Sequence, residues 1–154
     1  MQRLINRVVV HCSATKPSVA VDASVIDRWH RAKGWLKIGY HYVILRNGKL
    51  EKGRQDNEAG AHVAGFNKDS LGVCMVGGLS ESTGKPEDNY TEAQYETLRG
   101  LLLKLTEESP TISDICGHRD LSPDLNKDGV IQKTEWLKAC PCFDVRGWWG
   151  GDNW

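Results

Sequence analysis

Two histidines and one cysteine have the residue types and positions that a zinc site requires. His11 and His118 each come at the end of a short apolar run typical of a strand, and Cys140 lies in a loop next to a proline. Open α/β sheets place their sites at the carboxyl ends of strands, and imidazole and thiolate groups are zinc ligands. Three such ligands leave one tetrahedral position open, which is the catalytic pattern, and zinc in an open site lowers the pKa of water to roughly 7. The alternative for Cys140 is a buried thiol that binds no metal.

Between His118 and Cys140 lies a loop with a metal signature of its own. The segment from Asp124 to Glu135 fits the calcium-binding EF-hand loop at each required position, with Gly129 at the sharp turn. The expected calcium ligands are Asp124, Asn126, Asp128, Val130 and Glu135. A proline directly before the loop excludes a regular helix leading into it, so we expect an EF-hand-like loop insertion at residues 124–135 without the first helix. The alternative is a loop rich in Asx turns that holds no metal.

The bulk composition suits one domain and excludes several classes of partner. The chain has 154 residues and a formal net charge of zero, so nothing drives it onto nucleic acid or an anionic membrane. Its longest apolar runs are far too short to span a bilayer, and its first residues lack the apolar core of a signal peptide. We therefore expect a monomer that is made in the cytoplasm without a signal peptide. The five cysteines, an odd number, argue against a disulfide framework.

Hydrophobic periodicity and turn residues divide the chain into strands and helices, with no internal repeat and no second domain. A capping box that begins at Thr91 opens the longest helix, and an Asn-Gly pair at residues 47–48 marks a hairpin turn. The predicted strands are Arg7–His11, Gly39–Leu45, Leu50–Gly53, Ser70–Val76 and Thr111–Cys116, and the predicted helices run from Asp22 or Ser24 to Lys33 and from Thr91 to Glu108. We expect one domain over residues 1–154.

Blocks of sequence along nearly the whole chain resemble one family. The blocks are Val9–Lys16, Gly34–Trp35, Gly39–Tyr42, Gly60–Asn67, Ser70–Gly78 and Lys138–Asp144. In this order they are similar to the small zinc amidases, called lysozymes, of T-odd coliphages, within the N-acetylmuramoyl-L-alanine amidases related to peptidoglycan recognition proteins. The resemblance implies an α/β fold with a mixed central sheet flanked by helices and zinc in a surface groove. It also implies hydrolysis of the amide between N-acetylmuramic acid and L-alanine of peptidoglycan, in cell-wall lysis after release.

The resemblance also assigns roles to individual positions. His11, His118 and Cys140 match the zinc ligands, Tyr40 and Lys138 match the two catalytic side chains, and His62 and Asn67 match groove positions that contact substrate. Lys138 would place a positive charge where the tetrahedral intermediate develops an oxyanion, and the Tyr40 hydroxyl could pass on a proton. The alternative for Lys138 is a solvated amine. This chain departs from the phage pattern in its longer segment between His118 and Cys140, which holds the acidic loop.

Other functions are compatible with the same blocks. A non-catalytic peptidoglycan-recognition module would use the same groove, but such modules typically replace the cysteine ligand, which is present here as Cys140. The phage amidase also restrains its RNA polymerase, and nothing in this sequence carries that partner over. Anhydromuropeptide amidases of the wider family generally have an aspartate as the third zinc ligand. The sequence therefore favours an amidase acting on peptidoglycan, with zinc and, in the acidic loop, calcium.

Overall fold

The centre of the fold is a mixed sheet of five strands. The structure, a computed structural model, describes residues 3–123, 125–128, 131, 133–136 and 139–150. The strands are β1 (Arg7–Cys12), β2 (Tyr42–Ile44), β3 (Leu50–Lys52), β4 (Ser70–Met75) and β5 (Asp114–Gly117). They lie in the order β3-β2-β4-β1-β5, in which only the β2–β3 hairpin pair is antiparallel. The α/β fold with a mixed central sheet is confirmed.

Helices pack against the sheet, and the last of them ends the described part of the chain. They are α1 (Ala23–Ala32), α2 (Glu92–Glu108) and α3 (Val145–Gly150). Asp22 caps α1 by accepting a hydrogen bond from the backbone N–H of Val25, and Thr91 begins α2 with the predicted capping box. In the described part of the chain, no helix is long and apolar enough to cross a membrane.

The sheet is buried on both faces, which explains the continuous apolar run at the start of the chain. Val8, Val9 and Val10 are all fully buried in β1, as expected for a parallel strand covered on two sides. One core cluster packs the sheet against Leu98 and Leu102 of α2, and a second packs the other side against Ile26 of α1. All five cysteines are free thiols, in agreement with the expectation that they form no disulfide framework.

The strand predicted over Gly39–Leu45 is shorter than expected, and its first residue bonds to α1 instead of to a neighbouring strand. Only Tyr42–Ile44 pairs as β2. The backbone N–H of Gly39 donates to Nδ1 of His30 at 2.8 Å, so it is directed towards the helix and away from a neighbouring strand. His30 is buried by this contact, which makes it a structural histidine.

One buried glutamine joins α2 to the sheet. The fully buried amide of Gln94 donates from Nε2 to the carbonyl oxygens of Ile44 at 3.1 Å and Val76 at 2.9 Å. Its Oε1 accepts the backbone N–H of Thr91 at 3.0 Å, and the Thr91 hydroxyl donates to Arg46 O at 2.6 Å. The capping box therefore also satisfies carbonyl groups at the ends of two central strands.

We expect Gln94→Leu to lower the free energy of unfolding by about 2–4 kcal/mol, because it removes the hydrogen bonds of the Val76 carbonyl and the Thr91 N–H at nearly unchanged volume. The Ile44 carbonyl loses one of its two donors and keeps the N–H of Val76. Urea unfolding measures this loss. The matched control is Glu96→Ala, an exposed position in the same helix, which should change the free energy by less than about 0.5 kcal/mol. Equal effects of the two substitutions would contradict the proposed contribution of Gln94.

Candidate metal centre and active site

The pairing of β1 with β5 brings two of the predicted ligands side by side. Val10 lies opposite Gly117 in the parallel register, so the next residues of the two segments are His11 and His118. Their ring centroids are 4.6 Å apart. His11 is buried with 1% of its surface exposed, whereas His118 is partly exposed in the short 3-10 turn His118–Leu121. The histidines thus meet at the carboxyl edge of the sheet, as predicted from their positions after strands.

Cys140 reaches the same place from a loop that is tied to both histidine segments. Its Sγ accepts the backbone N–H of Cys12, the neighbour of His11, at 3.0 Å. Its carbonyl oxygen accepts the backbone N–H of Arg119, the neighbour of His118, at 2.9 Å. The loop is held further where the Tyr90 hydroxyl donates to the carbonyl of Pro141 at 2.6 Å.

The three side chains converge in a way that fits zinc. One possible ligand atom from each of His11, His118 and Cys140 lies within 4.8 Å of the others. Two imidazoles and one thiol are the donor types that zinc prefers, and three protein ligands leave room for a substrate or water. The N–H of Cys12 donates to Sγ of Cys140 and holds the sulfur beside His11.

Tyr40 stands beside the metal centre. Its ring centroid is 5.0 Å from that of His11. The backbone position is set by Arg54, whose N–H donates to Tyr40 O at 2.9 Å. Burial raises the pKa of the Tyr40 phenol well above its ordinary value, so the hydroxyl keeps its proton and can donate a hydrogen bond. Tyr40 also lines a cleft of about 240 Å³ that continues along α1 to Trp29.

A second, larger cleft of about 660 Å³ lies next to the segments that carry His118 and Cys140, since Arg119 and Ala139 line it. Its lining includes Arg119, Trp136 and the two lysines Lys85 and Lys133. The Arg119 guanidinium stacks over the Trp136 ring at 4.0 Å, and its buried Nε has no hydrogen-bond partner among the residues described. Sequence reasoning missed this pair, because only the fold brings the turn after β5 next to the segment beyond the acidic loop.

His62 and Asn67 lie beneath the centre and support it from the inside. Nδ1 of His62 is 2.8 Å from Nε2 of His11, and its Nε2 is 3.1 Å from the Ser70 hydroxyl. Burial lowers the pKa of His62 to about 3, so the ring is neutral. Oδ1 of Asn67 accepts the backbone N–H groups of His62 and Val63 at 2.9 and 3.0 Å. The substrate contacts predicted for both residues remain predictions, and the contacts seen here favour a supporting role.

The acidic loop is partly described. Oε2 of the buried Glu135 accepts the backbone N–H groups of Leu125 at 2.5 Å and Asn126 at 3.2 Å, and Oδ1 of Asn126 accepts the N–H of Asp128 at 3.2 Å. Glu135 thus closes the loop onto its beginning. The predicted calcium ligands Asp124 and Val130 and the predicted catalytic Lys138 lie outside the described residues.

Comparisons with known proteins agree with this geometry. A sequence profile of the family described as N-acetylmuramoyl-L-alanine amidase matches residues 1–141. An endolysin of Klebsiella phage KP32 is 41% identical over 144 residues, which cover 94% of this chain and 85% of the endolysin.

Solved structures show the same fold. The N-acetylmuramoyl-L-alanine amidase LysC from Clostridium intestinale URNW superposes with a TM-score of 0.70 at 25% identity, over 90% of this chain and 77% of LysC. The ectodomain complex of peptidoglycan recognition proteins LCa and LCx, bound to tracheal cytotoxin, contains a chain with a TM-score of 0.65 at 26% identity, over 91% of this chain and 78% of that one.

We expect protein purified without added metal to contain about one zinc per chain, since its three ligands form the open pattern of a catalytic site. Cys140→Ala should remove most of it, because the softest ligand is lost. Elemental analysis after dialysis measures the zinc content. Cys142→Ala is the matched control: this thiol lies two residues along the same loop, outside the ligand group, and the variant should keep its zinc. Wild-type protein without zinc, or Cys140→Ala with a full complement, would refute the assignment.

Proposed function

The chain belongs to the N-acetylmuramoyl-L-alanine amidase family, and from this premise we propose that it cleaves the amide between N-acetylmuramic acid and L-alanine of peptidoglycan with zinc held by His11, His118 and Cys140. The observation that carries the zinc part of the proposal is the convergence of these three side chains within 4.8 Å. Zinc bound there would supply Lewis-acid chemistry, polarising the scissile carbonyl and acidifying a water molecule.

The residues around the centre have separate tasks in this reaction. The N–H of Cys12 donates to Sγ of Cys140 and holds this ligand against β1. The Tyr40 phenol stays protonated beside His11 and donates a hydrogen bond to the oxygen that gains negative charge. Lys138, by the family resemblance, supplies a positive charge to the same oxyanion.

The two clefts suit a substrate that extends in two directions from the scissile amide, as peptidoglycan does with its sugar and its stem peptide. A muropeptide would cross the centre with its stem peptide on one side and its sugar on the other. The cleft along Tyr40 and Trp29 offers an aromatic wall, and the larger cleft offers the Trp136 ring and the positive charges of Lys85 and Lys133. We infer that peptidoglycan or a muropeptide is the partner and that the enzyme works as a monomer on the cell wall after its release.

Digestion of purified sacculi tests the reaction directly. We expect new N-terminal alanine amines and no new reducing sugar ends. Tyr40→Phe and Lys138→Ala should each lower turnover by at least about 100-fold while zinc content stays unchanged, since neither residue is a ligand. New reducing ends without new amines would overturn the amidase assignment. Binding of sacculi by wild-type protein without cleavage would favour a recognition module.

The matched control for Tyr40→Phe is Tyr42→Phe, two residues along the same segment. Tyr42 is buried in the core on the α2 side, and its hydroxyl donates to Asp56 at 2.8 Å, away from the metal ligands. We expect this variant to keep wild-type turnover even where its stability is lower. Equal losses in Tyr40→Phe and Tyr42→Phe would show that the Tyr40 hydroxyl has no specific role.

We propose that the acidic loop binds calcium. Its carboxylates repel one another without a cation, and a bound divalent ion offsets this repulsion. Glu135 lies at the closing position of the loop and already reaches back to the backbone at its beginning, which supports a compact loop.

Calcium at about 10 mM should raise the thermal midpoint of wild-type protein by about 3–8 °C, if the loop binds in the range of about 0.1–1 mM that is common for extracellular sites. Differential scanning calorimetry with and without calcium measures the shift. Glu135→Gln should abolish most of it, because a neutral amide is a weaker ligand than a bidentate carboxylate. An unmoved wild-type midpoint, with no heat on titration, would show that the loop holds no calcium.

A further inference from the structure

Beneath the metal centre, three side chains and one carbonyl group form a chain of hydrogen bonds that runs into the protein. It starts at His11, continues through His62 and Ser70, and ends at the carbonyl oxygen of Phe66. The three side chains are buried, with 1%, 8% and 0% of their surfaces exposed in that order. Because no water competes for these groups, each donor needs an acceptor within the chain itself.

The donor and the acceptor of each of these hydrogen bonds can be assigned by starting from Phe66, at the inner end of the chain of hydrogen bonds. A carbonyl oxygen only accepts, so the single hydroxyl hydrogen of Ser70 goes to Phe66 O at 2.7 Å. The contact of 3.1 Å between Ser70 Oγ and His62 Nε2 must then use the Nε2–H of His62 as donor. A neutral His62 consequently carries its lone pair on Nδ1, where it accepts the Nε2–H of His11 at 2.8 Å.

Two glycines shape the slot that holds the His62 ring in this orientation. A Cβ atom on Gly60 would lie 2.5 Å from Cδ2 of His62, and one on Gly72 would lie 2.6 Å from its Cγ. The neighbouring His41 uses both ring nitrogens in other hydrogen bonds. Its Nδ1 accepts the N–H of Gly72 at 3.0 Å, and its Nε2 contacts Glu58 O at 2.7 Å. His62 therefore has one acceptor, Ser70, and one donor, His11.

We propose that His62 and Ser70 are positioning residues that fix His11 in the tautomer with its proton on Nε2 and its lone pair on Nδ1, which leaves Nδ1 as the nitrogen that could bind zinc. This inference rests on the proposed zinc centre and assigns His62 to the interior of the site instead of the substrate groove. Zinc-bound histidines generally donate their second N–H to such a partner, which fixes the ring and strengthens the ligand. Here the partner is a neutral imidazole instead of a carboxylate. The chain of hydrogen bonds from His11 to Phe66 therefore orients His11 without adding negative charge to the metal centre.

Two substitutions of similar size at position 62 separate hydrogen bonding from packing. In His62→Asn, Oδ1 takes the place of Nδ1 and still accepts from His11, whereas His62→Leu fills the slot without an acceptor. We expect His62→Leu to weaken zinc binding about 10- to 100-fold and His62→Asn to stay within about threefold of wild type. Competition with a chromogenic chelator measures both affinities without reference to activity. Equal affinities of the two variants would overturn the proposal.

The tautomers themselves can be observed in the metal-free protein, so this result does not depend on zinc or on amidase activity. Long-range ¹H–¹⁵N NMR spectra of the wild type should show His62 protonated at Nε2 and unprotonated at Nδ1, and His11 protonated at Nε2. Ser70→Ala should shift His62 towards a mixture of tautomers. Ser80→Ala removes a hydroxyl that contacts Ser82 and Thr83, outside this chain of hydrogen bonds, and should leave the His11 and His62 signals unchanged. A His62 that carries its proton on Nδ1 in the wild type would overturn the proposal even if the enzyme cleaves peptidoglycan.

Discussion

The parallel pairing of β1 between β4 and β5 is the constraint on which the site depends. Val10 must lie opposite Gly117 for His11 and His118 to meet, and the same strand must pair with β4 for His11 to lie over the His62 slot. A shift of one residue would turn the His11 side chain to the other face of the sheet. The ion pair at 3.1 Å between Arg7 and Asp114, which lie opposite each other in this register, opposes such a shift.

The parts of the fold that could be predicted are those with a local signal. The apolar run of β1, the capping box at Thr91 and the Asn-Gly turn each depend on residues close in sequence, and the structure confirms them. Placing His11 and His118 at strand ends indicated the edge of the sheet where sites lie, but that the two histidines meet also depends on β5 lying next to β1, which the sequence did not predict.

The parts that could not be predicted depend on contacts between distant segments with no periodic pattern. His62 lies in an irregular loop, 51 residues from His11, and its neighbours in sequence give no sign that it is buried. In the same way, the amide of Gln94 reaches carbonyl groups at two strand ends, one of them 50 residues away. A polar side chain in the interior takes its role from whichever unsatisfied group the fold brings near it, and that group is known only once the strands are in register.

Cys140 is the ligand that no strand positions, and its loop shows how the site tolerates the acidic segment. The two ends of that segment are bonded directly, since the N–H of Arg119 donates to the carbonyl of Cys140. The N–H of Cys12 then fixes Sγ against β1. With both ends held, lengthening the segment between them adds only a loop-closure cost that grows slowly with length. The position of Cys140 is thus set by the sheet and by the turn after β5, and changes within the acidic loop should act on the loop's own stability before they act on the metal centre.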